Sequence, residues 1–284
     1  MRAIPTIAGY ALREALRRKV FLVVLLLTAG FLFLYWLANH YLFRDVNNLG
    51  SPSPLIEPRT FAGAFMVGLA MFSTLFLGVV LAIFLTLGAV RGDAARGLLQ
   101  PLVVRPVARP TLLFARWLGA IAVCTPYVIA VYAAAVVITG TAGHWWPDHA
   151  VVPAIELAAG VAIVAALSLL GSIFLTATAN GIAIFMLFGA GLVSGLLGSI
   201  GHALKSQRLE HWATIVAWAA PFEALYQDSL REITSNTIGL TGYLIQLGPF
   251  GGANTGGPPV RVWACVYLVL VGVVAALAFS RKDL

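Results

Sequence analysis

Residues 61–90 read FAGAFMVGLAMFSTLFLGVVLAIFLTLGAV, thirty positions without one charged side chain. A helix at the surface of a water-soluble domain carries a polar face; this stretch has none. As a helix it would be ~45 Å long, enough to cross the ~30 Å hydrocarbon core of a bilayer. In lipid, every backbone N–H and C=O must find its partner inside the segment, which a helix provides and an open strand does not. Phe61–Val90 therefore predicts a membrane-spanning helix.

Five more runs of this kind lie on either side of it. The expected spans are 20–43, 61–90, 112–140, 151–176, 181–203 and 260–280. The whole chain of 284 residues is 60% hydrophobic and 10% charged, well above the apolar share of a soluble domain. The fold class expected is all-α: one domain over 1–284, polytopic, with six transmembrane helices. The first run follows REALRRK and is too long for a signal-peptide core, so it is read as a retained span. Cys124 and Cys265 fall inside apolar runs and form neither a metal spacing nor a disulfide framework.

An even number of spans places both termini on one side, together with the loop after the second span and the short turn ATAN at 177–180. That side carries 12 Lys and Arg against 3 Asp and Glu; the other carries 6 against 8. Basic residues beside spans mark the cytoplasmic face, so both termini are expected there. The net charge of +7 is thus a topology signal, and no nucleic-acid partner is expected. Before the first span, Ile4, Ile7, Ala11, Ala15 and Leu16 recur at helical spacing. Thr6, Tyr10, Arg13, Glu14, Arg17 and Arg18 fill much of the remaining surface. This predicts an amphipathic helix over 4–19 lying in the lipid interface. The outer segment 204–259 contains WATIVAWAAPFEALY (212–226), about fifteen apolar residues broken by Pro221 and Glu223. That length predicts a re-entrant or interfacial stretch rather than a seventh span.

Catalytic and coupling signatures are sparse. There is no G-x-x-x-x-G-K-[ST] loop for a nucleotide and no H-E-x-x-H. Ser194, in GLVSG, has no histidine on the last span to activate it, which argues against an intramembrane serine protease. Glu156 is the one acid inside a span, ~8 Å from its outer start, and is expected to be an interfacial carboxylate. Ion-driven carriers place several ionisable groups at mid-membrane. His144, Asp148 and His149 cluster in HWWPDH, but tryptophans at a span end are the ordinary aromatic belt, and no metal site is assigned. Gly191, Gly195 and Gly198 make a small-residue face on the fifth span, suited to helix packing within a subunit or between subunits. Ser168, Ser172 and Thr176 recur every four residues on the fourth span, where they could bond neighbouring helices or line a pathway.

The stretch after the second span is the most distinctive. RGDAARGLLQPLVVRPVARPTLLFAR (91–116) carries five arginines and three prolines between two uncharged blocks. Topology alone would require the arginines but not the prolines. Asp93 and then Arg96-Gly97, Leu98-Leu99, Pro106-Val107-Ala108-Arg109 and Arg116 resemble the first cytoplasmic loop of type-2 ATP-binding-cassette permeases. That family's pattern is an acid, a basic–Gly–Thr, a Leu pair, Pro-Val-Ser-Arg and a basic residue opening the next span. Leu98 stands where Thr is usual and Ala108 where Ser is usual. The ending FSRKDL, with PFEALY and GPFGGA, looks most like the subgroup of copper-enzyme-maturation permeases.

The resemblance implies a non-catalytic membrane subunit of an ATP-driven transporter, with export the direction expected by family pattern, in a prokaryotic-type cell membrane. Two permease subunits, identical or paralogous, would pair, and two ATP-binding subunits would hold ATP and Mg; this chain would hold no cofactor. Docking and coupling would fall to Arg13, Glu14, Arg17, Arg18, Asp93, Arg96, Gly97, Pro106 and Arg109, in the entry helix and the loop 91–111. Leu98, Leu99, Leu102 and Val103 give that loop an apolar side that can seat in a partner's groove. The alternative is a membrane scaffold that passes ATPase motion to an outer partner without moving a solute.

Overall fold

The computed structural model describes residues 19–48, 57–87, 109–235 and 257–281. Regular structure among them is entirely helical: α1 (Lys19–Asn48), α2 (Pro58–Thr86), α3 (Arg109–Gly143), α4 (Val151–Phe174), α5 (Ala177–Ala203), α6 (Gln207–Ala219), α7 (Pro221–Glu232) and α8 (Pro258–Ser280). Six of these, α1 to α5 and α8, are long and apolar enough to cross a membrane. The protein is an all-α, multi-pass membrane protein.

Helix ends differ from the hydrophobic runs in informative ways. α1 continues past Phe43 to Asn48, and α3 extends from Arg109 to Gly143 rather than 112–140. Hydropathy marks where lipid begins, whereas a helix can continue into the polar interface on its own backbone bonds. Pro110 lies in the first turn of α3, where its missing N–H has no intrahelical partner to lose. The expected turn ATAN is instead the first turn of α5. The break between α4 and α5 falls at Leu175–Thr176, where Leu175 is extended and its N–H still bonds the Gly171 carbonyl at 2.9 Å.

The apolar stretch 212–226 divides into two helices at Ala220, whose backbone leaves the helical region (φ −127°, ψ 70°). Pro221 then occupies the first turn of α7. The halves differ sharply. In α6 only Ala213 is buried, whereas every residue of α7 from Pro221 to Leu230 is buried.

α4 is the hub. It packs against α2, α3, α5 and α8, and most extensively against α7. The main core joins Met71 and Leu75 of α2, Val128 of α3, and Leu157 and Val161 of α4. Phe222 and Tyr226 of α7 complete it. α1 and α8 are peripheral and present Leu22, Leu26, Phe33, Val262, Val269 and Val273 outward, the surface a lipid-facing span requires. Since lipid offers no hydrophobic gain for joining spans, close packing and hydrogen bonds hold them together. Two such bonds, Thr28–Tyr127 and Tyr35–Thr139, each 2.5 Å, tie α1 to α3.

Candidate functional site

Two polar assemblies sit at opposite ends of α4. The first lies at the end where α2 stops and α3 begins, the basic end of the sequence analysis. Thr86, the last residue of α2, donates to Ser168 Oγ of α4 at 2.7 Å. Asn180, in the first turn of α5, donates from Nδ2 to the Ser168 carbonyl at 2.9 Å. All three side chains are buried. Asn180 Oδ1 lies directly over Gly171, where any side chain would overlap it. Three spans are thus knotted two residues before the segment 88–108.

The second assembly lies at the other end and is ionic. Arg261, in the first turn of α8, holds three carboxylates from two other helices. Its Nε lies 2.6 Å from Glu156 Oε1 of α4. Its Nη2 lies 3.0 Å from Asp228 Oδ2 and 2.5 Å from Glu232 Oε1, both on α7. Asp228 and Glu232 are four apart, so one helix face presents both. The remaining Asp228 oxygen accepts the Gly257 N–H at 2.7 Å. Gly257 has φ +69° and ψ −164°, a conformation that only glycine adopts readily, so its identity sets the chain entry into α8. Glu156, expected to be an interfacial carboxylate, is held within the protein at this end of α4. Its side chain is only 4% exposed, and its Oε2 has no hydrogen-bond partner.

A further acid lies elsewhere on α7. Glu223 and Gln227, also four apart, face α5 and bond each other at 3.0 Å. They fit because α5 offers glycines: a Cβ at Gly195 would overlap Gln227 Nε2 and Glu223 Oε1, and one at Gly191 would lie 2.8 Å from the Phe222 ring. Gly191 and Gly195 therefore receive α7 of the same chain, and Gly198 is also buried. Glu223 Oε2 and the Tyr226 hydroxyl are buried without partners. Burial raises the Glu223 carboxyl to about 7, against the lowering effect of the Gln227 bond, and holds the Tyr226 hydroxyl well above its usual range.

The structure brings together only part of the expected set. Ser168 bonds between helices, and Ser172 bonds back to the Leu169 carbonyl at 2.7 Å. Thr176 lies beyond the end of α4 and is exposed, so the polar row on that helix stops at Ser172. His144, Asp148 and His149 are exposed; among the described residues no three His, Cys, Asp or Glu side chains are placed to hold a metal ion. Trp145 is half-buried against the main core, while Trp146 is exposed. Arg109 opens α3. Arg13, Glu14, Arg17, Arg18, Asp93, Arg96, Gly97 and Pro106 lie outside the described residues.

Six apolar spans and a polar knot beside the basic loop describe a membrane-embedded component. Residues 6–284 match the family model described as ABC-2 family transporter protein. The chain belongs to the ABC-2 transporter family. It is accordingly a membrane permease subunit of an ABC transporter, and its family implies an ABC ATP-binding partner. No curated protein matches the chain.

Sequence reading of this ABC-2 permease singles out Ser168 and Glu156 but misses the residues they meet in the two assemblies. Asn180 falls in an expected turn. Arg261 reads as a flanking charge, and Asp228 and Glu232 read as polar residues of an outer segment. The signal present is the i, i+4 spacing of two acids in PFEALYQDSLRE, together with a lone arginine opening the last span.

Proposed function

We propose that this ABC-2 permease is the membrane half of an exporter driven by ATP hydrolysis in a separate subunit. Two copies, or a copy and a paralogue, pair in a cell membrane. Two ATP-binding subunits dock on the basic, cytoplasmic end and supply the ATP and Mg chemistry. The observation that carries the reading is the Thr86–Ser168–Asn180 knot. It links the end of α2, next to the expected docking loop, to α4, the helix that packs against every other span but α1 and against α7. A displacement at the loop therefore reaches the opposite end through one rigid element.

In the loop, Asp93 and Arg96 are three apart and on a helix would share a face, while Pro101, Pro106 and Pro110 would keep the segment from forming one long helix and suit it to a short lever. An interfacial charge left unpaired on desolvation costs about 2–5 kcal/mol, so reversing one should break docking without unfolding the spans. The test is charge reversal at Asp93, Arg96 and Arg109, with exposed Arg208 as control, reading copurification of the ATP-binding subunit and its ATPase rate. The three reversals should lower both readouts and the control neither. Unchanged readouts in all three would overturn the docking assignment.

A further inference from the structure

We infer that α7 is a releasable cover over the outer end of the permease, latched by Arg261, and that this outer end opens only when the Arg261 contacts to α7 break. The inference rests on the outward orientation of that end, which belongs to the proposed function.

The first support is how α7 is held. It is joined to α6 through the single non-helical residue Ala220, with Pro221 immediately after, which makes a hinge of one residue. Beyond that hinge the helix is buried from Pro221 to Leu230, and Glu223, Gln227, Asp228 and Ser229 are among its buried positions. The same helix buries Phe222, Leu225, Tyr226 and Leu230, so its seat combines apolar packing with a polar and ionic edge. Separating two apolar surfaces exposes them at a cost, whereas separating ionic partners lets water solvate both. Buried ion pairs give little net stability for the same reason: desolvation offsets most of the attraction. The ionic edge of the α7 seat therefore fixes its geometry while adding little to the cost of opening it.

The second support is charge. One guanidinium faces three carboxylates drawn from two helices. Glu156 belongs to the fixed hub, whereas Asp228 and Glu232 belong to the cover, so the arginine is the piece that joins them. Without it, the acids of α7 would face a buried acid of α4 with no cation between. The third support is unused bonding capacity. Glu156 Oε2, Glu223 Oε2 and the Tyr226 hydroxyl are all buried without a partner in this closed arrangement. Native structures leave few such groups, and an open arrangement would hydrate them.

The test uses the full chain in intact cells, with Cys124 and Cys265 replaced by serine and Ser229 replaced by cysteine. Ser229 is fully buried, and its hydroxyl bonds only within its own helix, at 2.7 Å to the Tyr226 carbonyl. The readout is the rate of reaction with a membrane-impermeant maleimide added outside. A parallel Ser235→Cys protein, altered at an exposed position just beyond α7, reports outer exposure and insertion. Arg261→Gln should raise the rate at position 229 about tenfold or more and leave position 235 unchanged. Asp228→Asn with Glu232→Gln should do the same while leaving Glu156 bonded to Arg261, and it decides the question if the arginine variant fails to insert. A rate at position 229 unchanged in these variants would overturn the latch. Adding the ATP-binding subunit separates the two claims: a latch that opens in the variants, with no effect of ATP on the unmodified cover, would refute the coupling and leave the latch standing.

Discussion

Single residues carry the sharpest expectations. Glu223 has its carboxyl raised to about 7 by burial, facing Tyr226 and Gln227 on its own helix and the glycines of α5. Its folded state therefore holds a proton that the unfolded state releases at the ordinary carboxylate pKa of 4.5. Because the folded form binds more protons, the contribution of Glu223 to stability falls as pH rises from about 4.5 to about 7 and levels off above. The full effect is about 3 kcal/mol. Glu223→Gln should flatten that slope, as measured by thermal unfolding in detergent across the same pH range; an equal slope in both proteins would assign it to another group. Glycines of α5 should divide by what they face. Gly195→Leu would push into Glu223 and Gln227 and cost on the order of 1–3 kcal/mol, as overpacking does. Gly189 has open space around it, so Gly189→Ala should leave stability unchanged or raise it by up to about 1 kcal/mol. Thermal midpoints of the two variants are the check: a clear drop for Gly195→Leu and none for Gly189→Ala.

At the scale of elements, the knot at the basic end makes its own prediction. Asn180→Ala removes the bond to the Ser168 carbonyl and should cost about 1 kcal/mol of stability. Because α5 would then be less firmly tied to α4 beside the α2 contact, the ATPase rate of the docked partner should become less sensitive to the permease. Comparing partner ATPase with and without the variant tests this; full stimulation by Asn180→Ala would confine Asn180 to a structural role. Elements are also where sequence reading is strongest and where it stops. All six spans are legible because hydrocarbon imposes length and the absence of charge on each segment separately. The stretch 212–226 is legible as too short to span. Its division is signalled by Pro221, but the burial of α7 is not, since Glu223, Gln227 and Asp228 look like surface residues until α5 supplies glycines and α8 supplies Arg261. Arg261 lies 33 residues from Asp228 along the chain, beyond any local pattern.

For the molecule as a whole, α4 explains how the two ends can communicate. Ser168 anchors it at the basic end, Glu156 at the other, and α7 covers its outer half. Motion begun at a docked ATPase would reach the cover through this one helix, which is the function proposed here in mechanical terms. The proposed assembly pairs two permease subunits, identical or paralogous, with two ATP-binding subunits. Native mass spectrometry of the complex, purified from membranes with its ATP-binding subunit coexpressed, tests that most directly. A mass equal to two permease chains and two ATP-binding subunits is the predicted result, whereas a permease recovered alone or singly with its ATPase would contradict it.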